Sequence, residues 1–333
     1  MSDATATATM TARKSSRSRS SSRTRGTKES AARGPASDAE SSAEPGGKPA
    51  ARNKRRSRRR RSERKPRRGW RNASNSDPRE LYELAVQSPE LEATFIDRVF
   101  RKIRNRTPRT MREDFAASFA LAGEWVRRRP RNTVVAIDLD PEVLAWGQRH
   151  RANERSAEEL SRIRLVQSDV SRFRGPRVDV VAAFNFSYFV FKTPAQLRRY
   201  FENARRSLVR DGLFVIDAYG GYESWSVMDE ERNLDGFTYV WDQAMVNPIS
   251  NEVLNHIHFR FPDGSEIKRA FTYDWRLWTL AEIREALAAA GFRRSTVYWE
   301  GTERKTGGGN GVFRPSDRGE PCAGWIAYIV AER

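Results

Sequence analysis

Acidic side chains end three apolar segments, and carboxylates at such positions can accept hydrogen bonds from the hydroxyl and amino groups of a nucleotide-like ligand. Glu113 lies in "RED", Asp138 in "TVVAIDLD" and Asp169 in "RIRLVQSD". Parallel strands end at one edge of an open α/β sheet, so we expect the three carboxylates to lie near one another. For each acid alone, a turn or cap residue is the commoner role at a strand end.

The stretch "REDFAASF", Arg112 to Phe119, occupies the place of a nucleotide-binding loop but contains no glycine. Asp138 follows the centre of this loop, Ala117, by 21 residues. That spacing is typical of a carboxylate that binds ribose hydroxyls, and the next acid, Asp169, can then accept from an adenine amino group.

These motifs resemble class I S-adenosylmethionine (SAM) dependent methyltransferases over about residues 80–333, excluding the N-terminal tail. The resemblance rests on "REDF" followed by small residues, on "DLDPE" with "WG" after it, and on "NFSY". It implies that Glu113 lies beside the methionine moiety of SAM and Asp138 at the ribose, with Asp169 and Val170 on the adenine side. The cofactor-binding residues that it implies are Arg112, Glu113, Ala117, Asp138, Leu139, Asp169, Val170, Asn185 and Phe186.

The family loop reads acid-x-Gly-x-Gly-x-Gly, and the three glycine positions here are Phe115, Ala117 and Phe119. Glycine lets the backbone approach the cofactor and adopt φ > 0 without steric cost. A left-handed Ala117 costs about 1 kcal/mol or more. We expect Phe119 to point into the core as the first apolar residue of the next helix, so that cofactor binding is weakened without being abolished.

In-line methyl transfer from a sulfonium needs mainly alignment and desolvation, so no fixed catalytic base is assigned. Tyr188 and Tyr219 are the candidates for orienting the acceptor, unless both simply pack at the rim of the sheet. No metal site is expected. His256 and His258 share a strand face, but no third ligand is apparent and a surface pair is favoured.

Apolar strands alternate with amphipathic helices from Thr133 to Gly221, which predicts an α/β, doubly wound, seven-stranded and mostly parallel sheet (a Rossmann-like methyltransferase fold). The resemblance adds a reversed last strand, for which "GWIAYIVAER" is the candidate. After strand 5, strict alternation on both sides of "PDG" predicts an antiparallel hairpin at His256–Trp278, within a lid or insertion spanning residues 222–278. The run "KTGGGNG" is interpreted as a flexible loop between the last strands.

Several helix ends have recognisable signals. Ser88 is the predicted N-cap before Pro89, with Leu91, Phe95, Val99 and Ile103 on one apolar face. Thr193 caps a later helix. Thr279 and Glu282 have capping-box spacing, and Gly291 ends that helix.

Charge is distributed unevenly along the 333 residues, because residues 1–70 hold 21 Lys and Arg against 6 Asp and Glu, in a chain of net charge +18. Residues 1–69 lack Leu, Ile, Val, Phe, Tyr, Trp and Cys, so we expect a disordered basic tail before one domain at 70–333. A single cysteine and the lack of a long apolar run or hydrophobic leader predict a cytoplasmic protein without membrane association.

A small-molecule N or O acceptor is favoured, because the insertion is rich in aromatic residues that suit an enclosed ligand. These are Trp225, Trp241, Phe259, Tyr273, Trp275 and Trp278. A nucleic-acid methyltransferase is a second hypothesis, since residues 52–68 could bind phosphates non-specifically and "NFSY" partly resembles the Asn-Pro-Pro-Tyr loop of adenine methyltransferases. A third hypothesis is a degenerate, non-catalytic binding protein. A nicotinamide dehydrogenase is disfavoured, because the G-x-G-x-x-G that it would require after the first strand is missing.

Overall fold

The computed structural model describes residues 70–303 and 308–333. The predictions for residues 1–69, including the basic segment 52–68, and for 305–307 of the glycine-rich run lie outside the described residues. The helices are α1 (Pro78–Val86), α2 (Pro89–Arg104), α3 (Ala120–Arg128), α4 (Pro141–Ala152), α5 (Ala157–Ser161), α6 (Pro194–Arg206) and α7 (Leu280–Ala289). The strands are β1 (Thr110–Asp114), β2 (Thr133–Asp138), β3 (Ile163–Gln167), β4 (Val178–Ala183), β5 (Leu208–Gly220), β6 (Met228–Leu234), β7 (Phe237–Asn247), β8 (Glu252–Arg260), β9 (Glu266–Arg276), β10 (Arg294–Thr302), β11 (Gly309–Pro315) and β12 (Trp325–Glu332).

The larger sheet has the strand order β11-β10-β12-β5-β4-β1-β2-β3. Strands β1 to β5 pair in parallel, and β12 runs antiparallel between β5 and β10. The predicted mostly parallel sheet with a reversed last strand is thus confirmed. The strand count was wrong by one, because β11 adds an eighth strand at the edge, and its first residues were assigned to a loop.

Helices cover both faces of this sheet, as the neighbouring residues Arg112 and Glu113 of β1 show. Successive side chains of a strand point to opposite faces. The Arg112 guanidinium reaches Asn203 in α6, whereas the Glu113 carboxylate accepts from a backbone N–H in α3. Strand order reverses between β1 and β4, so the carboxyl ends of these two strands form the crevice in which doubly wound sheets bind ligands.

The insertion after β5 is a four-stranded antiparallel sheet of order β6-β7-β8-β9. Its last two strands are the hairpin predicted around Pro262, Asp263 and Gly264. The prediction of a hairpin alone was incomplete, because β6 and β7 precede it. Trp275 of β9 packs at 6.1 Å from Phe189 and 6.5 Å from Tyr219 between ring centroids, which joins this smaller sheet to the ends of β4 and β5.

Most predicted helix ends are confirmed. Thr193 and Thr279 both form capping boxes, and Gly291 has φ +89° just beyond α7. Ser88 is the N-cap residue of α2, which begins at Pro89 as predicted, although the Ser88 side chain makes no capping hydrogen bond. Leu91 is also exposed rather than on the buried face of α2, which turns Phe95 and Val99 into the core.

Candidate active site

The loop after β1 keeps a glycine-like backbone without glycine. Phe115, Ala117 and Phe119 have φ values of +55°, +46° and +48°. These are the three positions at which the family loop has glycine, and all three lie in the left-handed region that side chains disfavour by roughly 1–2 kcal/mol each. Strain of this kind persists only where surrounding contacts impose it, and it concentrates at functional sites.

Asp138 at the end of β2 imposes part of that conformation. The Ala117 N–H donates to Asp138 Oδ2 at 2.7 Å, and the Asp140 N–H donates to Oδ1 at 3.0 Å. The Ala116 N–H also donates to the Ile137 carbonyl at 2.9 Å, which fixes the loop to β2. Burial raises the pKa of Asp138 despite these N–H groups, which favour its charged form.

The Phe119 side chain is buried in the core, as expected. Its ring lies over Gly147 of α4, where an added Cβ would come within 2.6 Å of Phe119 Cε1. The ring therefore points toward α4, and it is not among the side chains that line the cavity at the ends of β1 and β4.

Buried carboxylates converge at that crevice. The Ala122 N–H donates to Glu113 Oε2 at 2.9 Å, and Glu113 is 8% exposed. Glu92 of α2 is 4% exposed, and its carboxylate accepts no hydrogen bond from the residues that the structure describes. Asp217 of β5 accepts from the N–H groups of Asn185 and Phe186 at 2.8 and 2.9 Å.

Burial raises the pKa of all three carboxyl groups, and repulsion from a neighbouring acid adds to the rise for Glu92 and Glu113. Burial raises the pKa of Glu92 to about 8, and Asp217 contributes to that rise. The pKa of Glu113 is raised well above its usual range by burial first and by Glu92 second, against the opposing effect of Arg151. Burial also raises the pKa of Asp217 to about 7, although its two backbone donors oppose the shift. Such a group of acids is built to receive positive charge.

Glu92 was missed in the sequence analysis, although a signal existed. It lies three and seven residues before Phe95 and Val99, so it falls on the apolar face of α2. A glutamate on the buried stripe of an amphipathic helix needs a partner or a function, because an isolated buried charge is costly.

The cavity between these acids is narrow. Gln87, Glu92, Glu113, Phe115 and Asn185 contribute to its walls, and its volume is about 10 Å³, space for roughly one water molecule. Asn185 has φ +66°, and its side-chain Oδ1 is buried without a hydrogen-bond partner in the described part of the chain. The Asn185 side-chain carbonyl is thus an unused acceptor in a strained turn.

Arg112 does not face this cavity, which corrects its assignment as a cofactor-binding side chain. It is 1% exposed. All five of its N–H donors are engaged, two by the Asp114 carboxylate and one each by Asn203 Oδ1, Ser207 Oγ and the Val170 carbonyl. Val170 was also expected to bind the cofactor. Its carbonyl accepts from Arg112, and its side chain is buried in the core.

Tyr188 was assigned to the acceptor, and the structure places it in the core instead. Its hydroxyl donates to the Asp217 backbone carbonyl at 2.7 Å, and the side chain is fully buried. The Phe186 ring is also buried and packs on Tyr219 at 4.7 Å. The Tyr188 and Phe186 side chains therefore support the turn after β4. Tyr219, the other residue predicted to orient the acceptor, has a hydroxyl without a hydrogen-bond partner among the described residues.

Asp169, expected on the adenine side, and Leu139, expected to bind the cofactor, are not among the residues that line the narrow cavity. Asp169 Oδ1 accepts from the Ser171 N–H and hydroxyl at 2.8 and 2.7 Å, so this carboxylate is engaged by its own turn. Leu139, directly after β2, is 69% exposed, which is unusual for a large apolar side chain.

The histidine pair lies within the smaller sheet rather than on an open surface. His256 is 4% exposed and its Nδ1 lies 2.9 Å from Thr272 Oγ1. His258 Nε2 lies 3.1 Å from Asp242 Oδ2. Each ring thus has a partner inside the sheet, and the prediction of a surface pair was wrong for His256.

Comparison with known proteins agrees with this geometry. A family model described as a methyltransferase domain matches residues 114–216, from the end of β1 to the middle of β5. Residues 114–216 are therefore similar to a methyltransferase domain. The matched segment includes the glycine-less loop, Asp138, Asp169 and the turn after β4. A search of curated proteins by sequence found no significant match.

Solved structures share the fold of the methyltransferase domain at low sequence identity. An S-adenosylmethionine-dependent methyltransferase from Clostridium acetobutylicum ATCC 824 has 16% identity and a TM-score of 0.56, over 76% of this chain and 96% of that one. CalS10 from Micromonospora echinaspora has 18% identity and a TM-score of 0.54, over 77% and 95%. KedS8 from Streptoalloteichus sp ATCC 53650 has 20% identity and a TM-score of 0.51, over 74% and 88%. No helix in residues 70–303 or 308–333 is long and apolar enough to cross a membrane.

Proposed function

We propose that this protein is a SAM-dependent methyltransferase that acts on a small-molecule N or O acceptor. The observation that supports the proposal most is the pair of buried carboxylates, Glu92 and Glu113, on the walls of a cavity at the ends of β1 and β4. Asp217 adds negative charge nearby. Uncompensated buried charge is costly, so these acids call for a cationic ligand.

SAM has the chemistry that this site requires. It carries a sulfonium and an ammonium group, and the Glu92 and Glu113 carboxylates and the unpaired Asn185 Oδ1 are all acceptors at the cavity. Asp138 would accept from ribose hydroxyls, and the exposed Leu139 offers an apolar surface to the adenine ring. Because the cavity is small, we expect its lining side chains to move when the cofactor enters.

When bound, SAM supplies an electrophilic methyl group on a good, neutral leaving group. The residues of this chain would then bind, orient and desolvate the reactants. The strained loop at Phe115, Ala117 and Phe119 brings backbone to the crevice as glycine does in the family. Tyr219 remains the candidate for orienting the acceptor, because its buried hydroxyl is unpaired among the described residues.

The relatives in fold favour a small acceptor. CalS10 is described as an amino pentose methyltransferase and KedS8 as a sugar N-methyltransferase. The nucleic-acid hypothesis depends on residues 52–68, outside the described residues. It predicts methylation of RNA or DNA that is lost when the tail is removed.

A thermal-shift comparison with SAM, S-adenosylhomocysteine (SAH) and NAD tests the proposal. We expect SAH and SAM to stabilise the full-length protein and NAD to have no effect, since bound ligand stabilises the folded state by mass action. Stabilisation by NAD alone would favour a dehydrogenase. No response to any of the three at millimolar concentration would favour a non-catalytic binding protein.

A matched pair of variants on α2 locates the binding site. Glu92→Gln removes a buried carboxylate at the cavity, whereas Glu90→Gln removes an exposed one two residues away on the same helix. SAM affinity should fall in the first variant and not in the second. Equal SAM affinity in all three proteins would place the cofactor elsewhere.

A further inference from the structure

A second, larger concavity lies between the end of β5 and the smaller sheet. Its volume is about 720 Å³, and its walls include Tyr219, Glu223, Glu230, Trp241 and Trp325. This size falls in the range of small-molecule sites. The feature is separate from the narrow cavity between Glu92 and Glu113.

Three acidic residues of β6, Asp229, Glu230 and Glu231, contribute to the walls of this pocket, and strand alternation makes Glu230 the half-buried one. Glu230 and Arg232 are half-buried on the inner face of β6, whereas Asp229 and Glu231 are exposed on the other. Glu230 lies opposite Trp241 in the pairing of β6 with β7. Burial raises the pKa of Glu230, Arg232 opposes that shift and Glu223 adds to it.

Arg232 also lines the pocket, but its guanidinium contacts groups other than Glu223 and Glu230. Its guanidinium lies 4.5 Å from the centroid of the Tyr239 ring and donates to the Ala85 carbonyl at 3.0 Å. Neither Glu223 nor Glu230 forms an ion pair among the described residues. The pocket therefore has an excess of negative charge on its inner wall.

Buried polar groups of the same wall lack partners. Tyr219 is 5% exposed and Trp241 is 1% exposed, and both line the pocket. The Tyr219 hydroxyl and the Trp241 Nε1–H form no hydrogen bond with residues that the structure describes. The Asn255 amide interacts with the Tyr219 hydroxyl and opposes the rise in the pKa of that hydroxyl, but neither its oxygen nor its nitrogen has a well-formed hydrogen bond within the described residues. Leaving such buried groups unpaired is unfavourable, and a ligand with complementary groups would recover part of that cost if the wall opens to it.

The pocket and the cofactor cavity lie next to the same turn. Tyr219 packs against the rings of Phe186 and Phe189, at 4.7 and 5.6 Å between centroids. Asn185, the residue before Phe186, lines the cavity between Glu92 and Glu113. The Asn185–Phe186 turn thus lies between the pocket and the cavity. For methyl transfer the turn must move so that the acceptor reaches the methyl group, as the cavity walls must for the cofactor to enter.

From these observations we propose that this pocket binds the methyl acceptor and that the acceptor is a cationic amine that also carries a hydroxyl or ether oxygen. Glu223 and Glu230 hold the ammonium group, because carboxylates accept charge-assisted hydrogen bonds. If the nitrogen is the methylated atom, it must first lose a proton, and the Glu230 carboxylate is the group placed to accept it. Trp241 Nε1–H can only donate, so it requires an oxygen acceptor on the ligand, and the Tyr219 hydroxyl can donate or accept. This inference rests on the proposed methyltransferase function and narrows its acceptor to one chemical class.

Binding of paired compounds to the full-length, SAH-saturated protein tests the inference by isothermal titration calorimetry. A panel of amino sugars and amino alcohols is compared with hydroxyl analogues, for example D-glucosamine with D-glucose. We expect at least one amine to bind, and to bind about tenfold or more tightly than its analogue, because a hydrogen bond to a charged group contributes more than a neutral one. The inference is overturned if no amine of the panel binds at millimolar concentration, or if the analogues bind equally well.

Variants assign the binding to this pocket. Glu230→Gln and Glu223→Gln should each weaken amine binding by about tenfold or more, and Trp241→Phe should weaken it too. Asp235→Asn makes the same change of charge in the exposed β6–β7 turn and should have no effect. Amine binding that survives both glutamate variants contradicts the inference.

SAH binding separates this inference from the proposed function. If SAH binds to the wild type and to the variants while amines do not bind, the acceptor assignment fails and the methyltransferase proposal stands. If SAH does not bind to the wild type, the methyltransferase proposal itself fails.

Discussion

The Phe119 ring packs against the backbone of Gly147, and this contact joins the loop after β1 to helix α4. A Cβ at Gly147 would lie 2.6 Å from Phe119 Cε1 and 2.9 Å from the Ser118 carbonyl oxygen. Phe119 occupies a position at which the family loop has glycine. Gly147, on the facing helix α4, provides the space for the Phe119 ring. The loop and α4 therefore form a complementary pair.

Gly147→Ala should destabilise the protein by about 1–3 kcal/mol, because an added methyl group overpacks the contact with Phe119 and Ser118. SAH affinity should fall as well, since the loop must shift. Urea unfolding and calorimetry measure the two effects. Gly123→Ala in α3 is the control, since its Cβ would meet only the flexible side chains of Arg155, at 3.3 Å, and Arg151, at 3.7 Å. A Gly147→Ala protein as stable as the Gly123→Ala protein would refute the packing account.

Ala117→Gly should stabilise the protein by roughly 0.5–1 kcal/mol, because relief of the left-handed strain exceeds the added entropy of the unfolded chain. The N–H donor to Asp138 is kept. Ala116→Gly, at a position outside the left-handed region, should instead destabilise it. The prediction fails if both substitutions lower the urea midpoint equally.

Asp138→Ala should weaken SAH binding by about 1–3 kcal/mol through loss of a charge-assisted contact. It should also lower the unfolding temperature, because the Ala117 and Asp140 N–H groups lose their acceptor. Calorimetry and thermal unfolding report the two losses separately. Unchanged SAH affinity in a folded variant would remove Asp138 from the cofactor site.

Glu92→Gln should change the pH dependence of stability in a defined direction. The pKa of Glu92 is about 8 in the folded protein, against roughly 4.3 in an unfolded chain. A carboxyl group with a raised folded-state pKa contributes stability that is complete below its unfolded pKa and is lost as the pH rises toward 8. The cofactor-free variant should therefore gain stability relative to the wild type between pH 5 and pH 8. Parallel pH profiles would show that Glu92 does not titrate in this range.

Deletion of residues 1–69 should leave the domain folded and reduce salt-sensitive adsorption to polyanions, because the tail carries most of the net positive charge. Circular dichroism and heparin affinity chromatography measure these effects. If the shortened protein does not fold, the tail has a structural role that its composition does not predict.

The sequence could predict the sheet and the order of the acids, because periodicity, strand ends and spacing are local signals. Glu113, Asp138 and Asp169 do follow three neighbouring strands. The sequence could not show that Arg112 is saturated by Asp114, Asn203, Ser207 and Val170, since two of these partners lie more than ninety residues away. Nor could it show that the Tyr188 hydroxyl donates to the backbone carbonyl of Asp217, 29 residues away.

Two features were missed in the sequence analysis, the role of Glu92 and strand β6, because charged side chains obscured the hydrophobic periodicity in both segments. Glu92 interrupts the apolar face of α2, and its role depends on where that helix lies over the sheet. Strand β6, "MDEERNL", alternates half-buried and exposed residues but contains four charged side chains, so its period of two is invisible to hydrophobicity. The left-handed backbone at Phe115, Ala117 and Phe119 depends on contacts such as the one between Ala117 and Asp138. The backbone preferences of phenylalanine and alanine alone would predict the opposite conformation.

The central claim is that the carboxyl ends of β1 and β4 bind an adenosyl cofactor through Glu92, Glu113 and Asp138. A crystal structure of the full-length protein with SAH tests it most directly. We predict electron density for the amino-acid end of SAH beside Glu113 and for its ribose at Asp138, with Phe119 still packed on Gly147. Density for SAH elsewhere, or a crevice closed by aromatic rings at saturating SAH, would contradict the claim.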